Sequence, residues 1–174
     1  HSIEGGAITF RSFEDGVKMY QIKNFGFMGE DMVCAVGGNA KMSEFHAAMG
    51  LCNMEYLDEI LTGRKRVVER YRERLKNRDG IVLLPSQEGV QENYAYFPIL
   101  IKEDIFGENR DSVYERLAKN GIHARRYFYP LTKDFPCYKH LFQEVRTPVA
   151  EYVAERVLTL PLYDGLSEDE VDRI

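Results

Sequence analysis

Two short segments carry the side chains best suited to chemistry. The first is Gly37-Gly38-Asn39-Ala40-Lys41-Met42-Ser43-Glu44, which leads into Ala47-Ala48-Met49-Gly50-Leu51. It joins a glycine-rich turn bearing one amide side chain to a helix lined with small and apolar residues. Such a turn can bring backbone N–H groups and a helix N-terminus to an anion such as a phosphate. The Asn39 amide adds donors of its own, although Asn is equally suited to capping the helix that follows. The second segment is Arg125-Arg126-Tyr127-Phe128-Tyr129-Pro130. Two guanidiniums can meet a diphosphate, and aromatic rings can pack on a sugar or a base. The plainer reading is a β-strand with Arg125 and Tyr127 on one face and Arg126 and Phe128 on the other.

Other chemistries find little support. His1, His46, His123 and His140 share no ligand spacing, so no metal site is expected. Cys34, Cys52 and Cys137 form neither a zinc pattern nor a disulfide framework, which fits a reducing cytoplasm. Cys52 reads as a core residue on the apolar side of its helix, and Arg64-Lys65-Arg66 as a solvated helix face. Gly-x-Ser-x-Gly, P-loop and dinucleotide fingerprints are absent. A net charge of −5 and a pI near 5.5 argue against a nucleic-acid partner. No apolar run approaches the ~18 residues of a membrane span. The start, His1 to Gly6, lacks the basic region of a signal peptide.

These segments need elements to hold them. Residues 7–10 are β-prone, and Ser12 with Asp15 resembles a capping box opening a short helix. Residues 24–30 read as a loop. From Met42 the apolar spacing predicts a helix to about Leu61, broken at Thr62-Gly63, then a charged helix over 64–77 burying Val67, Val68, Tyr71 and Leu75. Further on, strands are expected at 81–84, at 94–101 with Pro98 marking an edge or bulge, at 122–129 and at 158–162. Helices are expected at 111–119, closed by Asn120-Gly121, at 135–142, at 148–158, and after Ser167 with Glu170. The natural boundary lies near Gly63, giving units of 1–62 and 63–174.

Glu4-Gly5-Gly6-Ala7, the Asn39 segment, the 121–131 segment and Leu158-Thr159-Leu160-Pro161-Leu162-Tyr163 occur in an order that resembles the DegT/DnrJ/EryC1/StrS sugar aminotransferases. The resemblance covers essentially the whole chain. It implies an α/β fold with an α+β small domain: the end of the large domain of a pyridoxal-phosphate (PLP) transferase, fold type I, plus its small C-terminal domain. It implies PLP as cofactor, glutamate as amino donor and a nucleotide-linked keto-deoxysugar as acceptor, most like dTDP-4-keto- or 3-keto-6-deoxyhexoses, in surface-polysaccharide synthesis. In the family the Schiff-base lysine lies a few residues before the Glu-Gly-Gly, hence upstream of residue 1. None of the nine lysines here matches it, so no catalytic residue is assigned and the chain alone is expected to be inactive. Asn39 matches the residue that reaches the cofactor phosphate of the other subunit of a homodimer. Arg126, Tyr127 and Tyr129 match the place where the small domain faces the substrate. Ala40 and Lys41 stand where Tyr and Arg are common, Phe25-Gly26 where His-Gly is usual, and the His-Tyr pair of many members is missing near Tyr127. The competing expectation is a non-catalytic binding domain that kept the fold.

Overall fold

The computed structural model describes residues 2–142 and 144–174. The chain divides into two compact units, His1–Leu57 and Asp58–Ile174.

In the first unit, α1 (Phe13–Lys23) begins as the Ser12–Asp15 spacing predicts, with the Ser12 hydroxyl accepting from the Asp15 N–H at 3.1 Å. Residues 7–10 form no strand. Their β-prone side chains meet no partner strand, and the Phe10 ring lies against Gly16, where a Cβ would stand 2.5 Å from it. Residues 24–40 fold back along the end of α1. Gly38 N–H donates to Ile22 C=O at 2.9 Å, Ala40 N–H to Lys23 C=O at 2.9 Å, and Phe25 N–H to Gly38 C=O at 3.0 Å. Gly26 makes this close approach possible: its φ is +80°, and a Cβ there would lie 1.7 Å from the Ala35 oxygen. The helix α2 (Glu44–Glu55) starts at Ser43, whose hydroxyl accepts from the His46 N–H. Cys52 is exposed rather than core. The helix α2 buries none of its residues: its apolar side chains are spread around it rather than gathered on one face, and Phe45, Leu51 and Met54 are exposed as well.

The predicted helix break at Thr62-Gly63 falls instead at Tyr56, between α2 and α3 (Leu57–Leu75). The Thr62 hydroxyl donates to the Asp58 carbonyl at 2.7 Å, one turn back, and the helix continues. Gly63 marks close packing rather than an end, since a Cβ there would lie 2.8 Å from Asp164 Cβ and 3.0 Å from its carbonyl oxygen.

In the second unit a three-stranded antiparallel sheet runs in the order β1 (Ile81–Leu83), β2 (Phe97–Ile101), β3 (Val157–Leu160). One face buries Phe97, Ile99, Ile101, Leu158 and Leu160 against Val67, Val68 and Tyr71 of α3. The Tyr71 ring stacks on Phe97 at 4.9 Å and its hydroxyl donates to Pro161 C=O at 2.9 Å. Pro98 lies neither at an edge nor in a bulge, because β2 is the central strand. Its missing N–H costs nothing here. Opposite it, Thr159 turns both backbone groups the other way, to Arg125 (2.9 and 2.7 Å), and β1 has already ended opposite Ile99.

After β2 come the short α4 (Glu103–Phe106) and then α5 (Arg110–Lys119), capped by Asn109 and ended at Asn120, with Gly121 at φ +75° as expected. Residues 122–129 do not form a strand; a single bridge joins Arg125 to Thr159 before the chain turns at Tyr127. The short β3 offers no longer edge to pair with. Residues 135–142 are turns following one 3-10 turn (Thr132–Asp134) rather than a helix. Pro136 holds Phe135 in extended backbone, φ −61° and ψ 135°, so a helix cannot begin there. The apolar repeat that implied a helix reflects ring stacking of Phe135 on Tyr138, centroids 6.4 Å apart. The helix α6 (Pro148–Arg156) precedes β3, and α7 (Glu168–Arg173) opens on the predicted capping box of Ser167 and Glu170. No helix among the described residues is long and apolar enough to cross a membrane.

A double clamp ties α7 to α3. Asp172 accepts from Arg70 Nε at 2.8 Å and from Arg74 Nε at 2.7 Å. Hydrogen bonds from Arg74 and Arg70 hold its carboxyl down to about 2. A depressed carboxyl contributes stability that is present above its unfolded value near 4 and is lost as pH falls towards 2. The urea midpoint is therefore expected to fall between pH 4 and 2, and D172N should remove that part of the fall. An unchanged pH profile in D172N would exclude the clamp as its source.

Candidate functional sites

The Asn39 hairpin is built by the backbone pairing just described. An isolated antiparallel bridge between Asn24 and Asn39 fixes the turn and leaves the Asn39 side chain exposed. Ser43, not Asn39, caps α2, so the capping alternative for Asn39 does not hold. Lys41 Nζ donates to Asn39 Oδ1 and stands 4.3 Å over the Phe25 ring. With its oxygen occupied by an ammonium, Asn39 presents its NH₂ outward as a donor beside a positive charge. The glycine turn offers fewer free backbone donors than its sequence implies, because Gly38 and Ala40 N–H groups are bonded to the end of α1.

In the second unit the two adjacent arginines have different surroundings. Arg110 is buried: Nη1 donates to Ala154 C=O (3.0 Å) and Val157 C=O (3.2 Å), and Nε to Asp111 Oδ1 (2.7 Å). Arg126 joins the same carboxylate at 3.0 Å, with its guanidinium 4.8 Å from the Tyr114 ring and 5.5 Å from the Tyr129 ring. Arg110 covers Tyr129 at 4.7 Å. Arg126 and Tyr129 are thus part of a clamp on the start of α5. Arg125 points elsewhere: it bonds the Tyr127 hydroxyl and lies 5.3 Å over that ring. Phe128 stacks on the other neighbour of the turn, Tyr127, at 5.0 Å rather than sharing a face with Arg126.

Arg125 and Tyr127 border a recess of about 260 Å³ on the sheet, completed by Tyr96, His123, Thr159 and Pro161. Its origin is the alternation of strand side chains. Leu158 and Leu160 go to the core; Thr159, opposite both Pro98 and Arg125, goes to the reverse face. Of the substrate-facing candidates, Tyr127 lines this recess, whereas Arg126 and Tyr129 do not. The sequence offers Arg125 only as one of two guanidiniums able to meet a diphosphate, outside the substrate-facing set of Arg126, Tyr127 and Tyr129, and gives His123, Tyr96 and Thr159 no role of their own. Two signals were available: the period-two spacing of His123, Arg125 and Tyr127, and a lone hydroxyl inside Leu158-Thr159-Leu160-Pro161.

With this geometry the chain matches solved aminotransferases of the PLP-dependent fold. One is DesI in the presence of its TDP-sugar product, with a TM-score of 0.82 and 32% identity over 90% of this chain and 40% of that one. Another is Helicobacter pylori PseC, an aminotransferase involved in the biosynthesis of pseudoaminic acid, with a TM-score of 0.81 and 22% identity over 93% of this chain and 44% of that one, a likeness of fold alone. The sequence profile of the DegT/DnrJ/EryC1/StrS aminotransferase family matches residues 2–174, and the chain belongs to that PLP-dependent family. Among relatives, the dTDP-4-amino-4,6-dideoxy-D-glucose transaminase of Escherichia coli is 41% identical over 99% of this chain and 47% of its own length. The GDP-perosamine synthase of Vibrio cholerae is 28% identical over 98% of this chain and 46% of its own. The chain spans about half the length of these relatives.

Proposed function

We propose that the chain is the C-terminal portion of a PLP-dependent aminotransferase that moves an amino group from glutamate to a dTDP-linked 4-keto-6-deoxyhexose. The observation that carries this reading is the 41% identity with the Escherichia coli transaminase across 99% of the chain. The Asn39 hairpin suits the cofactor's phosphate, because an outward amide beside an ammonium supplies donors and charge for a phosphate dianion. When bound, PLP supplies the electron sink for the transfer. Asn39 and Lys41 would hold that phosphate for the other subunit of a homodimer, and the segment carrying Arg126, Tyr127 and Tyr129 would face the nucleotide sugar. The amine that anchors the cofactor is assigned to the part of the enzyme preceding residue 1, so the 174-residue chain is inactive by itself. The natural setting is cytoplasmic synthesis of a surface polysaccharide.

The full-length protein, given glutamate and dTDP-4-keto-6-deoxyglucose, is expected to yield the 4-amino sugar nucleotide by mass spectrometry, and the 174-residue chain none. A full-length protein that neither retains PLP nor turns over would instead be a binding domain on an aminotransferase fold.

A further inference from the structure

We infer that the recess beside β3 is a subsite for the phosphoryl groups of the nucleotide, with Arg125 as the anion contact and Tyr127 as the residue that positions it. This rests on the nucleotide-sugar reading above and adds to it a binding site distinct from the Asn39 hairpin.

Charge separates the two arginines. Arg126 shares the Asp111 carboxylate and is flanked by two rings, so its charge is balanced within the fold. Arg125 has no carboxylate partner among the described residues. Its guanidinium is steered by the Tyr127 hydroxyl and ring face, and Tyr127 is braced in turn by Tyr96, edge-on at 5.6 Å. A guanidinium held in this way keeps N–H groups free for a bidentate grip on phosphate oxygens.

The lining agrees. It includes Arg125 and His123 and no Asp or Glu, in a chain with a net charge of −5. Thr159 is 6% exposed, and its Oγ1 is buried with no hydrogen-bond partner. Buried hydroxyls are ordinarily satisfied, so this one marks room for an oxygen ligand or a water that carries it. At about 260 Å³ the recess falls below the range of roughly 300–1,000 Å³ that encloses a whole ligand. It fits a phosphoryl or diphosphoryl group, with the rest of the nucleotide outside.

A phosphate could also come from PLP, so the test uses dTDP, inorganic pyrophosphate and PLP as separate probes in calorimetry on the full-length protein. R125M is expected to weaken dTDP and pyrophosphate by roughly 10–100-fold, the range of a charged hydrogen-bond pair, and to leave PLP unchanged. R125K should fall between, since an ammonium keeps the charge and loses the fork. T159V should weaken dTDP by roughly threefold to tenfold while leaving the thermal midpoint equal or higher, a combination that a purely structural hydroxyl would not give. R116M, at an exposed arginine paired with Glu108 and outside the recess, should cost less than about threefold in dTDP affinity. Wild-type affinity for dTDP in R125M would overturn the subsite and leave the nucleotide-sugar reading intact. A parallel loss of PLP would assign the recess to the cofactor and overturn the inference. Absence of dTDP and pyrophosphate binding in the wild type would overturn both.

Discussion

Replacing Arg110 by methionine is expected to destabilise the chain by about 3–5 kcal/mol, the largest stability effect of any single arginine in the fold. The Arg110 side chain is 2% exposed and satisfies two backbone carbonyls where α6 gives way to β3, those of Ala154 and Val157. Each buried carbonyl left without a partner costs about 1–3 kcal/mol. A cation lost from the C-terminal end of a helix adds up to ~2 kcal/mol in a partly buried setting. Asp111, its other partner, is about half exposed and can be hydrated, so it adds little. Methionine fills similar volume, which limits the cavity contribution. R110K should recover part of the loss, because an ammonium reaches one carbonyl but cannot fork between two. Guanidinium titration reads the effect directly, and a loss below about 1 kcal/mol would mean that water replaces the guanidinium at both carbonyls. Because Arg110 also covers Tyr129 and shares Asp111 with Arg126, the substitution should loosen residues 125–130 and weaken dTDP binding in the surviving native fraction.

Local signals in the sequence translated faithfully. Ser12 before α1, Asn120-Gly121 after α5 and the Ser167–Glu170 box before α7 each act within one helical turn, so no distant residue can override them. The burial of Val67, Val68 and Tyr71 also followed from periodicity. Misreadings arose where a residue's meaning depends on something far away in the chain. Gly63 reads as a breaker until Asp164 is found against it. Pro98 reads as an edge residue until Thr159 is seen to bond Arg125 instead. Cys52 reads as core from its apolar neighbours until α2 is seen to bury none of its residues. The site shows the same limit. Arg125 and Arg126 are indistinguishable as neighbours in sequence, and the position of Asp111 alone assigns one to the clamp and the other to the recess. The turn that carries Asn39 was legible because turn chemistry is local, whereas the link of Asn39 to Lys41 and Phe25 was not, since it depends on how residues 24–40 fold back.

If Asn39 holds the cofactor phosphate as proposed, N39A in the full-length protein is expected to raise the dissociation constant for PLP by roughly 10–100-fold, as removal of a hydrogen bond to a charged group does. N39D should do worse, by more than about 100-fold, because it sets a carboxylate against a phosphate dianion and like charges in contact cost several kcal/mol. Lys41 sharpens the test. It holds Asn39 Oδ1 and rests on the Phe25 ring, so K41M frees the amide to rotate and removes a positive charge, with an expected loss of about tenfold. In the K41M background N39A should cost less than it does alone, since an amide no longer held outward has less to lose. Helix capping predicts a different pattern. Ser43 is the cap of α2, so S43A should lower the thermal midpoint with little change in PLP affinity, and N39A should do the reverse. Equilibrium dialysis with absorbance of the bound cofactor separates the two effects. Wild-type PLP retention in both N39A and N39D would remove Asn39 from the phosphate site. A drop in thermal midpoint of the cofactor-free protein equal to that of S43A would return Asn39 to a structural role.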